Sequence, residues 1–321
     1  MSRARLTTVP LALVLSGVLA APALAAPPPV ETAGDAVEYR LPGPGAYPEG
    51  IGVHGSSFYI GTTSDGTLYE GDLRDGSVSV WSPGGTDGRT TAIGIKATGQ
   101  RLYVAGGGTG FVFVYDRRSG ELLARYTNGG AAAGATFLND VAIAPGGDAY
   151  VTDSRRSVLY RIPPDVPNAG GTYPLEVAVQ FAGTAFDYVQ GFNANGIAIK
   201  GRTAYVVQSA TGRLFAVALD GSDVVRRVDV RDEDGQEYLL TNGDGLLLQG
   251  DRLYVLQNRL DLLTELDLDG RHAATVVSRT TDETFDVPTT LAAARGRVLV
   301  VNAQFGDTTP EPFTVSSIRR P

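Results

Sequence analysis

The sequence contains no cysteine, so neither a disulfide nor a thiolate ligand for zinc or copper is available to this chain. It contains only two histidines, His54 before a turn and His272 in a charged segment, and we expect both at the surface. A mechanism that needs a histidine pair or a serine triad is therefore unsupported. Stability must come from packing, ring closure or a bound metal ion.

Long apolar runs are absent beyond the first residues. Near its start the chain has Arg3 and Arg5, then an apolar stretch from Val9 to Ala20 and then Ala-Leu-Ala, which is the pattern of a secretory signal peptide. The apolar stretch is too short to span a membrane comfortably. We therefore expect residues 1–25 to be a signal peptide, residues 26–36 to be a flexible leader, and the protein to be secreted.

Positive charge is also scarce, since the formal net charge is −8 at pH 7 and no basic stripe occurs. This balance argues against nucleic acid and against an anionic membrane as partners. We expect a monomer whose partner is a small-molecule substrate.

The sequence does contain six copies of one short pattern. An aromatic or apolar residue recurs at intervals of 44 to 55 residues within the segments SFYIGTT, RLYVAGG, DAYVTDS, TAYVVQS, RLYVLQN and RVLVVNA. Each segment follows a run of small and apolar residues, and further strand-like segments come after it. A repeat of this length is typical of a four-stranded blade, so we predict an all-β, six-bladed β-propeller over residues 37–321.

The sixth repeat is incomplete, because only FTVSSIRRP remains near the end of the chain after RVLVVNA. The missing strand is predicted to be AVEYRLP, from Ala36 to Pro42. Strands from the two ends of the chain would then share one blade, closing the ring and removing an exposed edge.

One polar position recurs just before the first strand of each repeat. Alignment on the apolar pattern gives six oxygen-bearing residues, Glu49, Thr91, Asn139, Asn195, Asp244 and Thr289. First strands line the channel of a propeller, so these residues are predicted to surround one channel mouth. Calcium binds about six to eight oxygen ligands, and two facing carboxylates would repel one another without a cation. We expect Ca²⁺ or another divalent cation, with ordered water and plain Asn-Gly or Asp-Gly turns as the alternative.

The longest interval, between the third and fourth repeats, contains Phe186, Tyr188 and Phe192. If this segment overhangs the channel mouth, these rings form the wall of a substrate pocket. The alternative is that they pack against the neighbouring blade.

The segments PEGIGV, FLNDVAIAPGGDAYVTDS, NGIAI and GDGLLLQGDRLYVLQN resemble the senescence marker protein / gluconolactonase / luciferin-regenerating enzyme family. Paraoxonases and strictosidine synthase-like proteins are more distant relatives. The resemblance covers about residues 37–305 and implies a six-bladed propeller with one calcium or other divalent ion in the channel. It implies that Glu49, Asn195 and Asp244 bind the metal and that Asn139 lies beside metal or substrate.

The reaction implied by this resemblance is hydrolysis of a lactone or related ester. The metal would polarise the carbonyl, and Asp140 or Asp244 would help to activate water. A turn residue capping the strand start is the alternative for Asp140. Sugar-specific members of the family have an arginine where this sequence has Phe137, so a gluconate-type substrate is not expected.

We therefore expect a secreted, calcium-dependent lactonase or esterase. A metal-stabilised propeller that binds a small ligand or a protein without catalysis is the main alternative, and an isomerase or lyase acting on a cyclic metabolite is a third. The fold alone does not separate them.

Overall fold

The computed structural model describes residues 30–130, 134–307 and 312–321, so the predicted signal peptide lies outside the described residues. About half of the described residues lie in β-strands, which are joined by turns, loops and two single-turn 3-10 helices, Thr86–Gly88 and Asn258–Leu260. Among them, no helix has the length and hydropathy that crossing a membrane requires.

The strands follow one another as antiparallel meanders. Two short strands come first, β1 (Glu31–Thr32) and β2 (Val37–Arg40). The first meander contains β3 (Pro48–His54), β4 (Ser57–Thr62), β5 (Leu68–Asp72) and β6 (Val78–Ser82). The second contains β7 (Ile95–Ala97), β8 (Arg101–Ala105), β9 (Phe111–Asp116) and β10 (Leu122–Thr127). The third contains β11 (Leu138–Ile143), β12 (Ala149–Asp153), β13 (Val158–Ile162) and, after a separate strand β14 (Gly171–Pro174), β15 (Glu176–Gln180).

The second half of the chain repeats the arrangement. The fourth meander contains β16 (Ala194–Lys200), β17 (Thr203–Gln208), β18 (Arg213–Ala218) and β19 (Val225–Arg231). The fifth contains β20 (Gly243–Gln249), β21 (Arg252–Gln257), β22 (Leu262–Asp269) and β23 (Ala273–Thr281). The last contains only three consecutive strands, β24 (Pro288–Ala294), β25 (Arg297–Asn302) and β26 (Thr314–Arg319).

Strand β2 supplies the fourth strand of the last meander. It pairs antiparallel with β26, Val37 opposite Ser317 and Arg40 opposite Thr314. The predicted pairing of the two ends of the chain is confirmed. The preceding strand β1 pairs in parallel with β23, so the segment expected to be a loose leader packs against the fold from Glu31 onward.

Hydrogen bonds group the meanders into five sheets, because a parallel pairing of β19 with β23 joins the fourth and fifth meanders into one sheet. Strand β14 pairs in parallel with β10 and covers the outer edge of the second sheet. The first strands of the meanders contact one another in a closed cycle, from β3 through β7, β11, β16, β20 and β24 back to β3. The predicted all-β propeller fold is confirmed.

The middle strands are apolar on both faces because each lies between two neighbouring sheets. In β8, Leu102 and Val104 pack with Tyr59 of the first meander, whereas Tyr103 packs with Val151 of the third. Successive side chains of a strand point to opposite faces, so one strand fills two core layers. This explains why the repeated pattern is a short apolar run rather than an alternation of apolar and polar residues.

We predict that removal of β2 destabilises the fold by leaving β26 as an open edge. A chain that begins at Leu41 should melt roughly 10 °C below one that begins at Ala36, because each backbone hydrogen bond contributes about 1 kcal/mol. Both chains lack Asp35 and differ only by Ala36 and β2, so thermal unfolding isolates the contribution of the closing strand. Equal melting temperatures would show that the pairing does not support the ring.

Candidate functional site

The first strand of most meanders is interrupted at the same place. Pairing with the second strand shifts register between the residues before and after a two-residue bulge in β3, β11, β16, β20 and β24. The first bulge residues are Glu49, Asn139, Asn195, Asp244 and Thr289. A bulge re-aims a side chain out of the regular alternation. Five of the six positions predicted from the repeats are thus equivalent in the structure.

The glycines after these residues reflect close packing of neighbouring strands. A Cβ on Gly50 would lie 1.8 Å from the carbonyl oxygen of Ile93, and one on Gly196 would lie 2.1 Å from that of Asp244. The Asn-Gly and Asp-Gly pairs lie within β16 and β20, so the interpretation of these pairs as turns is wrong.

The second meander differs from the sequence alignment. Ile95 pairs with Val104 just as Ile51 pairs with Ile60, which makes Ile93 the residue equivalent to Glu49. The prediction of Thr91 at this position is wrong by two residues, because the apolar run of this repeat extends beyond the strand. Five oxygen-bearing residues and one isoleucine therefore occupy the equivalent positions.

The four residues predicted to bind metal, Glu49, Asn139, Asn195 and Asp244, lie on the wall of one cavity of about 530 Å³. A second, much smaller void of about 10 Å³ borders the same four side chains together with Asp140. Its volume is about that needed by one water molecule. The structure thus brings together all five predicted metal-binding and catalytic residues, although Asp140 borders only the small void.

Two serines orient the two asparagines. Asn139 Nδ2 donates to Ser154 Oγ at 2.9 Å, and Asn195 Nδ2 donates to Ser209 Oγ at 2.9 Å. Ser154 in turn donates to the carbonyl oxygen of Ala194 at 2.8 Å, which ties the third meander to the fourth. Because the amide nitrogens are engaged, each side chain keeps its carbonyl oxygen for another partner.

Asn258 performs a related task for Asp244, since Asn258 Nδ2 donates to Asp244 Oδ2 at 2.8 Å. Sequence reasoning missed Asn258, Ser154 and Ser209. Each stands four residues after the tyrosine of its repeat, so aligning that position as well as the channel position would have found them.

Asp140 is engaged by the backbone on both sides. Its Oδ1 accepts the N–H of Val141 at 2.7 Å, and its Oδ2 accepts the N–H of Ile197 at 3.1 Å. It lies inside β11 rather than in a turn, and it links the third meander to the fourth.

Burial dominates the electrostatics of the site. It raises the pKa of Glu49 well above the usual range, and the charges of Asp244 and Asp140 raise it further. Burial raises the pKa of Asp244 to about 7, against the hydrogen bond from Asn258. Burial also raises the pKa of Asp140, partly offset by the charge of Lys96. The site is therefore short of positive charge.

A hard cation fits this donor set chemically. Two carboxylates and two amide oxygens are ligands that Ca²⁺ accepts, and a cation would remove the repulsion that raises the pKa of Glu49. In the described part of the chain, no group of three or more His, Asp and Glu side chains has the geometry of a metal site. A site here depends on the amides as well as the carboxylates.

The predicted substrate-binding aromatics need a correction. Phe186 is fully buried and stacks on Phe215 with centroids 4.2 Å apart, and Tyr188 packs against the same cluster, so neither lies on the cavity wall. The packing alternative describes both residues, whereas Phe192 and Phe137 line the cavity. His54 and His272 are exposed, as predicted.

Comparison with known proteins gives one family and several structural relatives. A family model described as SMP-30/Gluconolactonase/LRE-like region matches residues 48–285. No curated protein sequence matches the chain.

The structural relatives include the calcium-binding protein regucalcin from Agrobacterium tumefaciens strain C58, with 16% identity over 85% of this chain and 91% of that chain and a TM-score of 0.60. A luciferin-regenerating enzyme has 13% identity over 89% of this chain and 96% of that chain, and a TM-score of 0.61. Virginiamycin B lyase from Staphylococcus aureus has 10% identity, coverage of 89% and 99%, and a TM-score of 0.62. At these identities the likeness shows the fold alone.

In the presence of a chelator, we predict that the protein loses stability as pH rises from about 4 to about 7. The raised pKa of Asp244, about 7, means that the folded state holds its proton more tightly than the unfolded state does. The free energy of unfolding should therefore fall across this window, by on the order of a few kcal/mol. Thermal unfolding at several pH values measures the change.

Asp244→Asn should reduce this pH dependence without abolishing it, because the pKa values of Glu49 and Asp140 are also raised, whereas Glu121→Gln, at an exposed position, should leave it unchanged. A melting temperature that rises with pH over the same window in the unmodified protein would contradict the assignment.

Proposed function

The chain belongs to the SMP-30/gluconolactonase/LRE-like family, and we propose that it is a calcium-dependent hydrolase of lactones or related esters. The observation that carries the proposal is the convergence of two buried carboxylates and two oriented amides on one cavity. The structural relative regucalcin is a calcium-binding protein, which is consistent with the same choice of metal.

The proposal also covers the number of blades, the export of the protein and its oligomeric state. We count six blades, one for each meander, and treat the pairing of β19 with β23 as a link between two of them. The closed cycle of first strands supports this count. The arginines and apolar stretch at the start of the chain support export, and we propose a secreted monomer.

Glu49, Asn195 and Asp244 would hold the cation, and Asn139 would bind the cation or the substrate. A bound cation polarises a carbonyl and stabilises the oxyanion that forms on it. Ser154 and Ser209 accept hydrogen bonds from the amide nitrogens of the two asparagines, which leaves the amide oxygens for another partner, and Asn258 holds Asp244 in place. Such preorganisation lowers the cost of binding a charged group.

Proton transfer is proposed for Asp140 or Asp244. The water oxygen bonds to the carbonyl carbon, the bond from that carbon to the ring oxygen breaks, and the proton passes through a carboxylate to the leaving oxygen. Asp140 borders the void that has room for one water, and Asp244 borders both cavities. Both carboxylates can therefore accept a proton from water in the channel.

A binding protein without catalysis is the second candidate. The observation that favours it is the engagement of both Asp140 oxygens by backbone N–H groups, which is what a structural carboxylate requires. In that case the metal and the cavity would serve ligand binding alone.

Turnover of a panel of lactones and aryl esters, with and without a chelator, distinguishes these two functions. We expect hydrolysis that is lost on chelation and restored by Ca²⁺, because the buried carboxylates need a cation. Absence of turnover across the panel, together with measurable Ca²⁺ binding, would favour the binding protein. Turnover that resists chelation would reject the metal-dependent mechanism.

We also predict that Glu49→Gln and Asp244→Asn each weaken Ca²⁺ binding at least tenfold, since each removes one of two charges from the ligand set. Titration calorimetry measures the affinity, and Glu121→Gln is the matched control because Glu121 is exposed. Affinities equal to that of the unmodified protein would place the calcium site elsewhere.

A further inference from the structure

One side of the cavity is apolar. Ile93, Phe137 and Phe192 line it and belong to the second, third and fourth meanders or the loops before them. Ile93 Cγ1 and Phe137 Cε2 lie 3.0 and 3.4 Å from the place that a Cβ on Gly107 would occupy, so both side chains pack over the same glycine. The rings of Phe137 and Phe192 meet edge to face, with centroids 5.1 Å apart. The three side chains therefore form one continuous apolar wall.

Polar contacts hold the residues of this wall in place. The N–H of Phe137 donates to Oδ1 of the buried Asp153 at 2.9 Å, which fixes the backbone of the loop before β11. The guanidinium of Arg155 lies over the ring of Phe192, 5.4 Å from its centroid. The carbonyl oxygen of Phe192 accepts the N–H of Ala210 at 2.8 Å. The wall is thus formed before any ligand arrives.

The fifth meander contributes a single positive charge. Arg259, in the 3-10 helix after β21, is the one cationic side chain on the cavity wall among the described residues. Its Nη1 donates to the carbonyl oxygen of Phe305 at 3.0 Å, which anchors one corner of the guanidinium. Among the described residues, no carboxylate forms an ion pair with it and its other side-chain nitrogens have no hydrogen-bond partner, so they can bind a ligand.

From this distribution we propose that the substrate has an apolar ring or chain, which lies on Phe137 and Phe192, and a remote carboxylate, which Arg259 binds. The inference rests on the proposed function, because it names the substrate class of the same site. A planar guanidinium binds a carboxylate through two parallel hydrogen bonds. A cavity of about 530 Å³ has the size of typical small-molecule sites.

A sugar lactone fits the wall poorly. Its hydroxyl groups would lose their bonds to water against Ile93, Phe137 and Phe192, which offer no side-chain donor or acceptor in return. An apolar body loses nothing polar there and gains from leaving water. The reacting carbonyl would face the polar floor, where Asn139, Asn195 and the carboxylates lie.

The test uses three γ-lactones that carry a 4-carboxyphenyl, a phenyl or a polyol substituent, and the three matching γ-lactams as unreactive mimics. Binding of the lactams is measured by calorimetry in saturating Ca²⁺, and kcat/KM is measured for the lactones. We expect the carboxyphenyl lactam to bind about tenfold more tightly than the phenyl lactam, and the phenyl lactam about tenfold more tightly than the polyol lactam.

Variants assign each preference to its residue. Arg259→Gln should abolish the advantage of the carboxylate and leave the preference for phenyl over polyol, whereas Phe137→Ala should reduce the latter preference. Arg118→Gln, at an exposed turn outside the cavity, should change neither. Arg259 is exposed, so its replacement should leave folding intact, and this can be verified from the melting temperature.

The outcomes separate the two proposals. Lactone turnover with equal affinity for all three lactams would overturn the substrate class and leave the hydrolase intact. Lactam binding in the expected order without turnover of any lactone would reject the hydrolase and retain the ligand class. An unchanged carboxylate preference in Arg259→Gln would overturn the role of that residue.

Discussion

The close approach of the first strands around the channel is the constraint from which the site follows. Neighbouring strands are joined across the blades, as when the N–H of Gly94 donates to the carbonyl oxygen of Asn139 at 2.7 Å and Thr289 Oγ1 donates to that of Glu49 at 2.9 Å. The neighbouring strand lies so close to the residue after Glu49 and to the residue after Asn195 that no side chain fits there, and glycine is required. The bulge that provides the glycine also turns the preceding side chain toward the channel.

Because the first strands pack so closely, negative charge at the centre of the ring is buried and therefore unfavourable. Glu49 and Asp244 are buried within it, and burial opposes their ionisation. Protons or a cation can offset this cost, and only a cation keeps both carboxylates available as ligands at neutral pH. The serines and Asn258 that fix the surrounding groups are consistent with a preorganised site.

Sequence periodicity predicted the features that follow from the repeat alone, namely the polar channel positions and the strand that completes the last blade. The polar positions Glu49, Asn139, Asn195 and Asp244 recur in register, and the shortage of one strand in the last repeat pointed to the β2–β26 pairing. Where a repeat departs from the pattern, periodicity failed. In the second repeat the apolar run begins before the strand does, so the alignment predicted Thr91 where the structure has Ile93.

The sequence also did not predict the features that depend on how loops cross the ring. Phe186 and Phe192 stand close together in one loop, yet the first fills the core and the second lines the cavity. No period relates Phe137 to Phe192, and their contact exists only once two meanders lie side by side. The pairing of β19 with β23 could not be predicted from the repeat either, because it depends on the lengths and courses of the outer strands.

The β2–β26 pairing also has a consequence for the order of folding. Its two strands lie near opposite ends of the described chain, so this contact closes one of the longest loops in the molecule and is entropically among the most expensive to form. The other meanders are built from strands that follow closely along the chain, with only β14 inserted before the last strand of the third, and they can assemble as synthesis proceeds. The last sheet remains incomplete until β26 pairs with β2, one of the first strands to be synthesised. A chain cut short anywhere before β26 therefore retains an unpaired edge, by which chaperones and proteases can recognise an unfinished molecule.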